Sequence, residues 1–497
     1  MDSKALVLFH AAMVNRQNEA GLAGGVWVFA LTPVVLLLAL SGRYGFHRDE
    51  LYFIVAGRNL DWGYIDQPPF TPLVARLSEA LFGVSPTALR VLPALAVGLV
   101  AVLAGLMARR FGGGRTAQTF AAFTAAFTGV LLGEGHLLST AVFDYAFWGL
   151  ALWILVLLLD GADPKWWLGL GLVVGVGMQN KYTIGFLAAA ILISLLLTRQ
   201  RRLLVSGWPW IGAFVSLLAS TPNLLWQASN GWPQLEMAEA LRARSDGPIA
   251  FVILQVALLS VTLAIPAFVG LWWLARAETA RPWRPIPIVF GILFVAFLAT
   301  EGKAYYLAPI YSALLAAGAL WFERLSDRGR RWMSVVASAG VAVGLLIALP
   351  ILPVRSSGAL DATGELGETV GWPELIDQIH LAYDMIPNDS KDQAVIVTGS
   401  YGEAGAVDVL GRDSGLPQVV SGHNNYWLWG PPDTHGAIVA VGFLGPLLEP
   451  ICPDIKLISV LGNPYDVENE VVGQPLMLCL EPVGQLKDVW DQARHFN

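Results

Sequence analysis

About eleven long apolar stretches, with arginines clustered in four alternate connecting loops, leave this chain one kind of solvent: a lipid bilayer. In hydrocarbon every backbone N–H and C=O must find its partner within the segment, so each stretch reads as a helix. Hydropathy sets the spans at roughly 25–42, 88–108, 116–133, 141–160, 167–179, 183–198, 206–226, 249–275, 286–300, 304–322 and 332–352. Composition agrees. The 497 residues are 55% hydrophobic and 14% charged, with a mean hydropathy of +0.57, where soluble domains carry about 25% charged residues. Nineteen tryptophans suit a protein with two membrane interfaces. The run Gly25–Ser41 lacks a small-residue cleavage site and reads as a retained first span, not a signal peptide.

The arginine clusters orient the spans. Arg109/Arg110/Arg115, Arg199/Arg201/Arg202, Arg276/Arg281/Arg284 and Arg324/Arg328/Arg330/Arg331 fall in alternate loops, which are therefore cytoplasmic. That puts the N-terminus inside. It puts the polar stretch after the first span, and everything after 353, outside. The expected architecture is an α-helical polytopic membrane domain over 1–352, interrupted by an amphipathic external loop at 43–87, and a soluble α/β domain over 353–497. In that second part, 373–383 reads as a helix, and AVIVTGSYG, AIVAVGF, KLISVLG and LMLCLEP read as strands. Its two cysteines, Cys452 and Cys479, are open to two readings, a disulfide of an exported domain or two separate buried thiols.

Ionisable groups gather on the outer face, where charge at a span boundary marks a substrate path or a reaction site. Asp49 and Glu50 open the first external loop, which also holds Tyr64, Asp66, Gln67 and the pair Pro68-Pro69. Glu134 and His136 lie in a second loop, with Asp144 near the start of the next span; Lys181 lies in a third. A fourth carries Arg242 and Arg244, a fifth Lys303, Tyr305 and Tyr306. The carboxylates could take a proton from a hydroxyl and the cations could hold a phosphate. Each group also has a plainer use. Asp49 and Glu50 could cap a helix beginning at Leu51. Lys181 and Lys303 could snorkel. Asp144 could be a satisfied polar residue in the bundle, and His136 a structural one.

Taken in order, HRDELYF and YIDQPPFTPL, LFGVSPTALRVLPAL, GLGLVVGVGMQNKYT, PNLLWQASNGWP and GKAYYLAPIYSALLAAGA resemble the C-type glycosyltransferases of family 39. That family includes the protein O-mannosyltransferases and the lipid A aminoarabinose transferases. The resemblance covers roughly 25–325, and the tail (ETVGWPEL, YGEAGA, GHNNYWLWGPP) resembles that of bacterial members. It implies a polyprenyl-phosphate sugar donor and inverting transfer to a hydroxyl of a glycan, lipid or protein outside the cytoplasm. It makes Asp49 the base, supported by Glu50, with Asp144 a second functional carboxylate. Lys181 becomes the ligand of the lipid phosphate, with Lys303, Arg242, Arg244, Tyr305 and Tyr306 around the same group. Tyr64, Asp66 and His136 fall on the acceptor side. Where the aminoarabinose transferases carry a Glu-Lys pair, this chain has Asp66-Gln67, which leaves the acceptor open. No metal ligand set is expected and no organic cofactor, with a divalent cation near Asp49 left open. No nucleotide-binding glycine motif is present, as suits a donor carried on lipid. A transporter or flippase of an anionic amphipathic lipid is the alternative; a non-catalytic assembly partner would explain the tail but not the loop charges.

The arginine pattern generates a test. Protease added outside sealed right-side-out vesicles is expected to trim the 353–497 segment; its full protection would overturn the orientation.

Overall fold

The computed structural model describes residues 21–245, 247–357 and 364–496, so the N-terminus placed inside by sequence lies outside the described residues. It divides into two compact units. Among the described residues, one comprises those within 21–40, 90–225 and 244–349; the other comprises those within 41–89, 226–243 and 350–496. The first external loop and the C-terminal segment thus fold as parts of one unit.

The first unit is helical. Each of the eleven expected ranges falls on helix, but not all are single rods. Among the described residues, four helices are long and apolar enough to cross a membrane (Pro86–Arg110, Thr140–Leu159, Ala304–Arg324, Asp327–Ala348), or five if one bent pair counts as a span. That pair, Arg115–Ala126 and Gly129–His136, bends by 57° in place of the straight span expected at 116–133. The span expected at 249–275 is also broken, into Gly247–Leu258 and Ala264–Arg276. Ser260 and Val261 take positive φ values of 50° and 58° at the break, so the helical ladder cannot run through. A broken helix exposes backbone donors that lipid cannot satisfy. Here one break serves the other: Gly129 N–H, at the restart of the first pair, donates to Ser260 Oγ at 2.9 Å. Hydropathy averages over such breaks, which is why both read as continuous spans.

One close approach lies in the helix that precedes Lys181. The short helix Trp166–Met178 lies against Trp208–Ser229 at Gly171 and Gly212, and a Cβ on either would strike the backbone of the other helix. Only glycine permits that separation.

In the second unit the first-loop sequence forms two helices, Arg48–Arg58 and Phe70–Phe82. The second is amphipathic, as its sequence indicated. Val74, Ala75 and Ser78 are buried, while Leu73, Leu77 and Leu81 leave an exposed apolar stripe at i, i+4 and i+8 suited to a bilayer interface. Arg58 Nη2 pairs with Glu79 Oε1 at 2.9 Å and ties the two helices together.

The C-terminal segment carries a five-stranded sheet: β1 (Val395–Thr398), β2 (Val419–Ser421), β3 (Ile438–Val441), β4 (Lys456–Val460) and β5 (Pro475–Cys479), in the order β2-β1-β3-β5-β4. β1 pairs in parallel with β2 and β3, and β5 runs antiparallel to β3 and β4. Four strands match the sequence expectation. β2 is three residues long, too short to show an alternation. The expected helix is Trp372–Tyr383, and it buries Trp372, Leu375, Ile376 and Ile379. Cys452 and Cys479 are joined in a disulfide with Cα atoms 6.2 Å apart, and both lie in the core beside Val395, Ile438 and Leu448.

The bridge closes a loop across a sequence separation of 27 residues. Replacing both cysteines by serine is expected to destabilise the second unit by about 3 kcal/mol, most of it through the unfolded state. Thermal melts with and without reductant would check this, and an unchanged midpoint would argue against the bridge.

Candidate active site

Two groups of the sequence-selected residues stand out, one in each unit. In the second unit the helix Arg48–Arg58 begins with a reciprocal cap. His47 Nδ1 accepts from Asp49 N–H at 3.2 Å, and Glu50 Oε2 accepts from His47 N–H at 2.8 Å. The capping that sequence placed before Leu51 thus occurs three residues earlier, and it engages Glu50, which is fully buried. The two acids of the pair therefore differ. Glu50 closes the cap, whereas the Asp49 side chain points outward and is 38% exposed.

Asp49 Oδ1 accepts a hydrogen bond from the Tyr401 hydroxyl at 2.7 Å, and Arg48 Nε lies 3.7 Å from the same oxygen. Arg48 is itself held by Glu470 through a 3.1 Å contact from Nη1. One helical turn on from Asp49, Tyr52 donates to Asp66 Oδ1 at 2.8 Å. The loop bearing Asp66 is fixed from several sides. Tyr64 is buried and donates to Ala56 O at 2.9 Å, Gln227 Nε2 donates to Tyr64 O at 3.2 Å, and Ile65 N–H donates to Asn425 Oδ1 at 2.7 Å. Gln67 is only 3% exposed, and neither end of its amide meets a partner among the described residues. Among the described residues no three His, Cys, Asp or Glu side chains converge as a metal ligand set. The near neighbours of the Asp49 carboxylate include a guanidinium, a phenol and an imidazole, of which the guanidinium opposes a cation there.

The carboxylates of this unit are sorted by environment. Burial, with the Asp49 charge adding to it, pushes Asp66 up to about 7 from 3.8. Burial and the charge of Glu470 likewise push Glu403 up to about 8 and Glu368 up to about 7.

In the first unit Lys181 follows the helix Trp166–Met178 in a turn pinned on two sides. Gln179 Nε2 donates to Ala219 O at 2.6 Å, and the buried Asn180 donates to Thr140 O at 2.8 Å, at the start of the helix carrying Asp144. The Lys181 ammonium lies 3.4 Å from the Tyr305 hydroxyl, 4.6 Å from the Tyr305 ring and 4.9 Å from the Tyr306 ring. Asp144 is buried; one oxygen accepts from Thr183 at 2.6 Å, and Lys181 is close enough to act on it electrostatically. Lys181 forms no ion pair with a carboxylate among the described residues. The aromatic rings meet part of its charge.

The remaining selected residues are placed elsewhere or spent on structure. Lys303 donates to Arg244 O at 3.1 Å, and Arg242 and Arg244 are exposed. His136 ends the helix Gly129–His136 and is 2% exposed, a buried helical position where sequence expected a loop. Tyr401, Tyr52 and Thr183 were missed. Tyr52 had a signal, its i, i+3 spacing from Asp49 on a helix. Tyr401 had none, since 352 residues separate it from its partner.

A stability measurement tests the Asp66 environment. Because folding raises this carboxyl above 3.8, its protonated form stabilises the fold, and that stability is lost as pH rises towards about 7. Asp66→Asn keeps an acceptor for Tyr52 but cannot ionise. Its stability relative to the parent is expected to improve between about pH 4 and pH 7 and then level off. A constant difference from pH 4 to 8 in denaturation curves would contradict the assignment.

Comparison with known proteins follows the same lines. Residues 66–226 match the family described as dolichyl-phosphate-mannose-protein mannosyltransferase. The undecaprenyl phosphate-alpha-4-amino-4-deoxy-L-arabinose arabinosyl transferase 1 of Pseudomonas fluorescens is 27% identical over 306 residues, 57% of this chain and 54% of that protein. The chain thus spans about half the length of this curated relative. Among solved structures, ArnT from Cupriavidus metallidurans bound to undecaprenyl phosphate superposes with a TM-score of 0.61 at 16% identity, covering 91% of this chain and 97% of ArnT. The mycobacterial arabinofuranosyltransferase AftD gives a TM-score of 0.51 at 15% identity, covering 93% of this chain and 40% of AftD. Residues 66–226 are thus similar in sequence to that family, and the fold is similar to that of ArnT.

Proposed function

We propose that this protein transfers a sugar from a polyprenyl-phosphate donor to a hydroxyl acceptor, with inversion, at the outer face of the cell membrane. The observation that carries the reading is Lys181: an ammonium on a rigid turn, boxed by Tyr305 and Tyr306, with no carboxylate in ion-pair contact among the described residues. Such a cation is an anion site, and the anion of this chemistry is a lipid phosphate. The undecaprenyl phosphate bound to ArnT and the donor named for the Pseudomonas relative support the same class. Asp49 is the base in this scheme. Its carboxylate takes the acceptor's hydroxyl proton as the oxygen attacks the anomeric carbon. The bond from that carbon to the phosphate oxygen breaks, and the leaving phosphate's charge is met by Lys181. A single displacement inverts the centre without a covalent enzyme intermediate. Asp144, beside Lys181, positions the ammonium and donor. The proposed orientation places the N-terminus in the cytoplasm and 353–497 outside, with the helix Phe70–Phe82 on the membrane surface.

The two broken helices are a feature that transporters also use, and they keep a lipid flippase in view. A flippase needs no base, so the variants separate the readings. Asp49→Asn is expected to lower sugar transfer about 10²–10⁴-fold with donor binding largely kept. Lys181→Ala is expected to weaken donor binding and turnover together, and Lys181→Arg to restore them only in part. Donor affinity in nanodiscs and mass spectrometry of envelope glycans would measure both. Parent-like transfer by Asp49→Asn would remove the base; parent-like affinity in Lys181→Ala would move the phosphate elsewhere.

A further inference from the structure

We propose that Tyr401, supplied by the C-terminal segment, is the positioning residue that aims the Asp49 carboxylate; this rests on Asp49 acting as the base of sugar transfer. The hydroxyl donates to Oδ1 at 2.7 Å, while His47 Nδ1, which accepts from the Asp49 N–H, stands 3.9 Å from Oδ2. Among the described residues Oδ2 therefore carries no hydrogen bond. One oxygen is tied and the other is open. A carboxylate held in this way cannot turn freely about its Cβ–Cγ bond, and its open oxygen keeps one direction for an incoming hydroxyl.

The phenol is itself fixed. Its ring packs against Tyr52 at 5.0 Å and His423 at 4.7 Å, and the Arg48 guanidinium lies 5.9 Å from its centre. Its backbone N–H donates to His423 Nδ1 at 3.4 Å. Tyr401 begins the helix Tyr401–Ala406 behind a second reciprocal cap, Ser400 with Glu403. That helix packs directly on Arg48–Arg58, where a Cβ on Gly405 would sit 3.0 Å from the backbone of Leu51, so the two helices meet at glycine distance. Burial and the Asp49 charge hold the Tyr401 phenol well above its ordinary value, so it stays a donor throughout the working range. The chemistry balances. When Oδ2 takes the acceptor's proton, Oδ1 becomes the carbonyl oxygen of the acid and still accepts from Tyr401. The proton leaves Oδ2 at the end of the cycle, and the phenol never gives up its own.

The test is a double-mutant cycle on the full-length protein in nanodiscs. The assay follows polyprenyl phosphate released from polyprenyl-phosphate pentoses and hexoses presented with envelope extract of a deletion strain. Tyr401→Phe keeps the ring and its packing and removes only the hydroxyl. It is expected to lower kcat about 10–100-fold, the rate equivalent of one charge-assisted hydrogen bond, with donor affinity and melting temperature unchanged. In the Asp49→Asn background the same change is expected to cost almost nothing, because the group it acts through is gone. Parent-like kcat in Tyr401→Phe overturns the proposal. So does a loss that multiplies with that of Asp49→Asn, or one accompanied by lower donor affinity or a lower melting temperature, as a structural role would give. If the parent itself releases no polyprenyl phosphate, the sugar-transfer reading falls instead, and the inference with it.

Discussion

The reciprocal cap at His47–Glu50 is the contact from which the second unit's chemistry follows. A helix start leaves backbone N–H groups without partners, and here a histidine nitrogen and a glutamate oxygen meet two of them. By engaging Glu50 inward, the cap sets the outward direction of its neighbour Asp49, since adjacent positions on a helix face about 100° apart. It also sets Tyr52 one turn further along, where its hydroxyl reaches Asp66. A change at Glu50 would therefore act on Asp49 through the backbone without touching substrate.

The first unit solves a different problem with the same economy of partners. Broken helices in hydrocarbon are tolerated only where protein groups satisfy the freed backbone. Ser260, from one break, meets the Gly129 N–H of another. The turn at 179–181 uses side-chain amides in the same way, with Gln179 and Asn180 each bonded to a carbonyl of a neighbouring helix. A lysine on such a turn cannot wander as a snorkelling lysine does, and its ammonium is found against two tyrosine rings.

How much of this was legible in the sequence depends on range. Local features read well. The amphipathic Phe70–Phe82 helix, Trp372–Tyr383 and four strands each follow from a short period of apolar residues. The pairing of Cys452 with Cys479 was open, because two cysteines fix no distance. Helix breaks were hidden, since residues 127–128 and 259–263 carry no charge, proline or glycine to mark them. The grouping of 41–89 with 350–497 was hidden for another reason. Loop-to-domain contacts such as Asp49 with Tyr401 or Ile65 with Asn425 rest on single polar atoms that leave no periodic trace.

The same long-range contacts set the acids of the second unit apart from one another. Glu403 and Glu50 each return a hydrogen bond to the backbone of their own helix start. Asp66 accepts from Tyr52, and burial raises it to about 7. Glu368, raised likewise, accepts from the Glu470 backbone, and Glu470 is bound to Arg48 and Ser400. Glu365 meets the Nε2 of the buried His47 at 3.1 Å, with its own side chain 57% exposed. Asp49 alone among these combines an exposed carboxylate, one oxygen held by a fixed phenol, and a second oxygen with no donor among the described residues. A base needs an open lone pair in a known direction, and a structural acid needs none. The neighbours of these acids, more than the acids themselves, separate the one from the other.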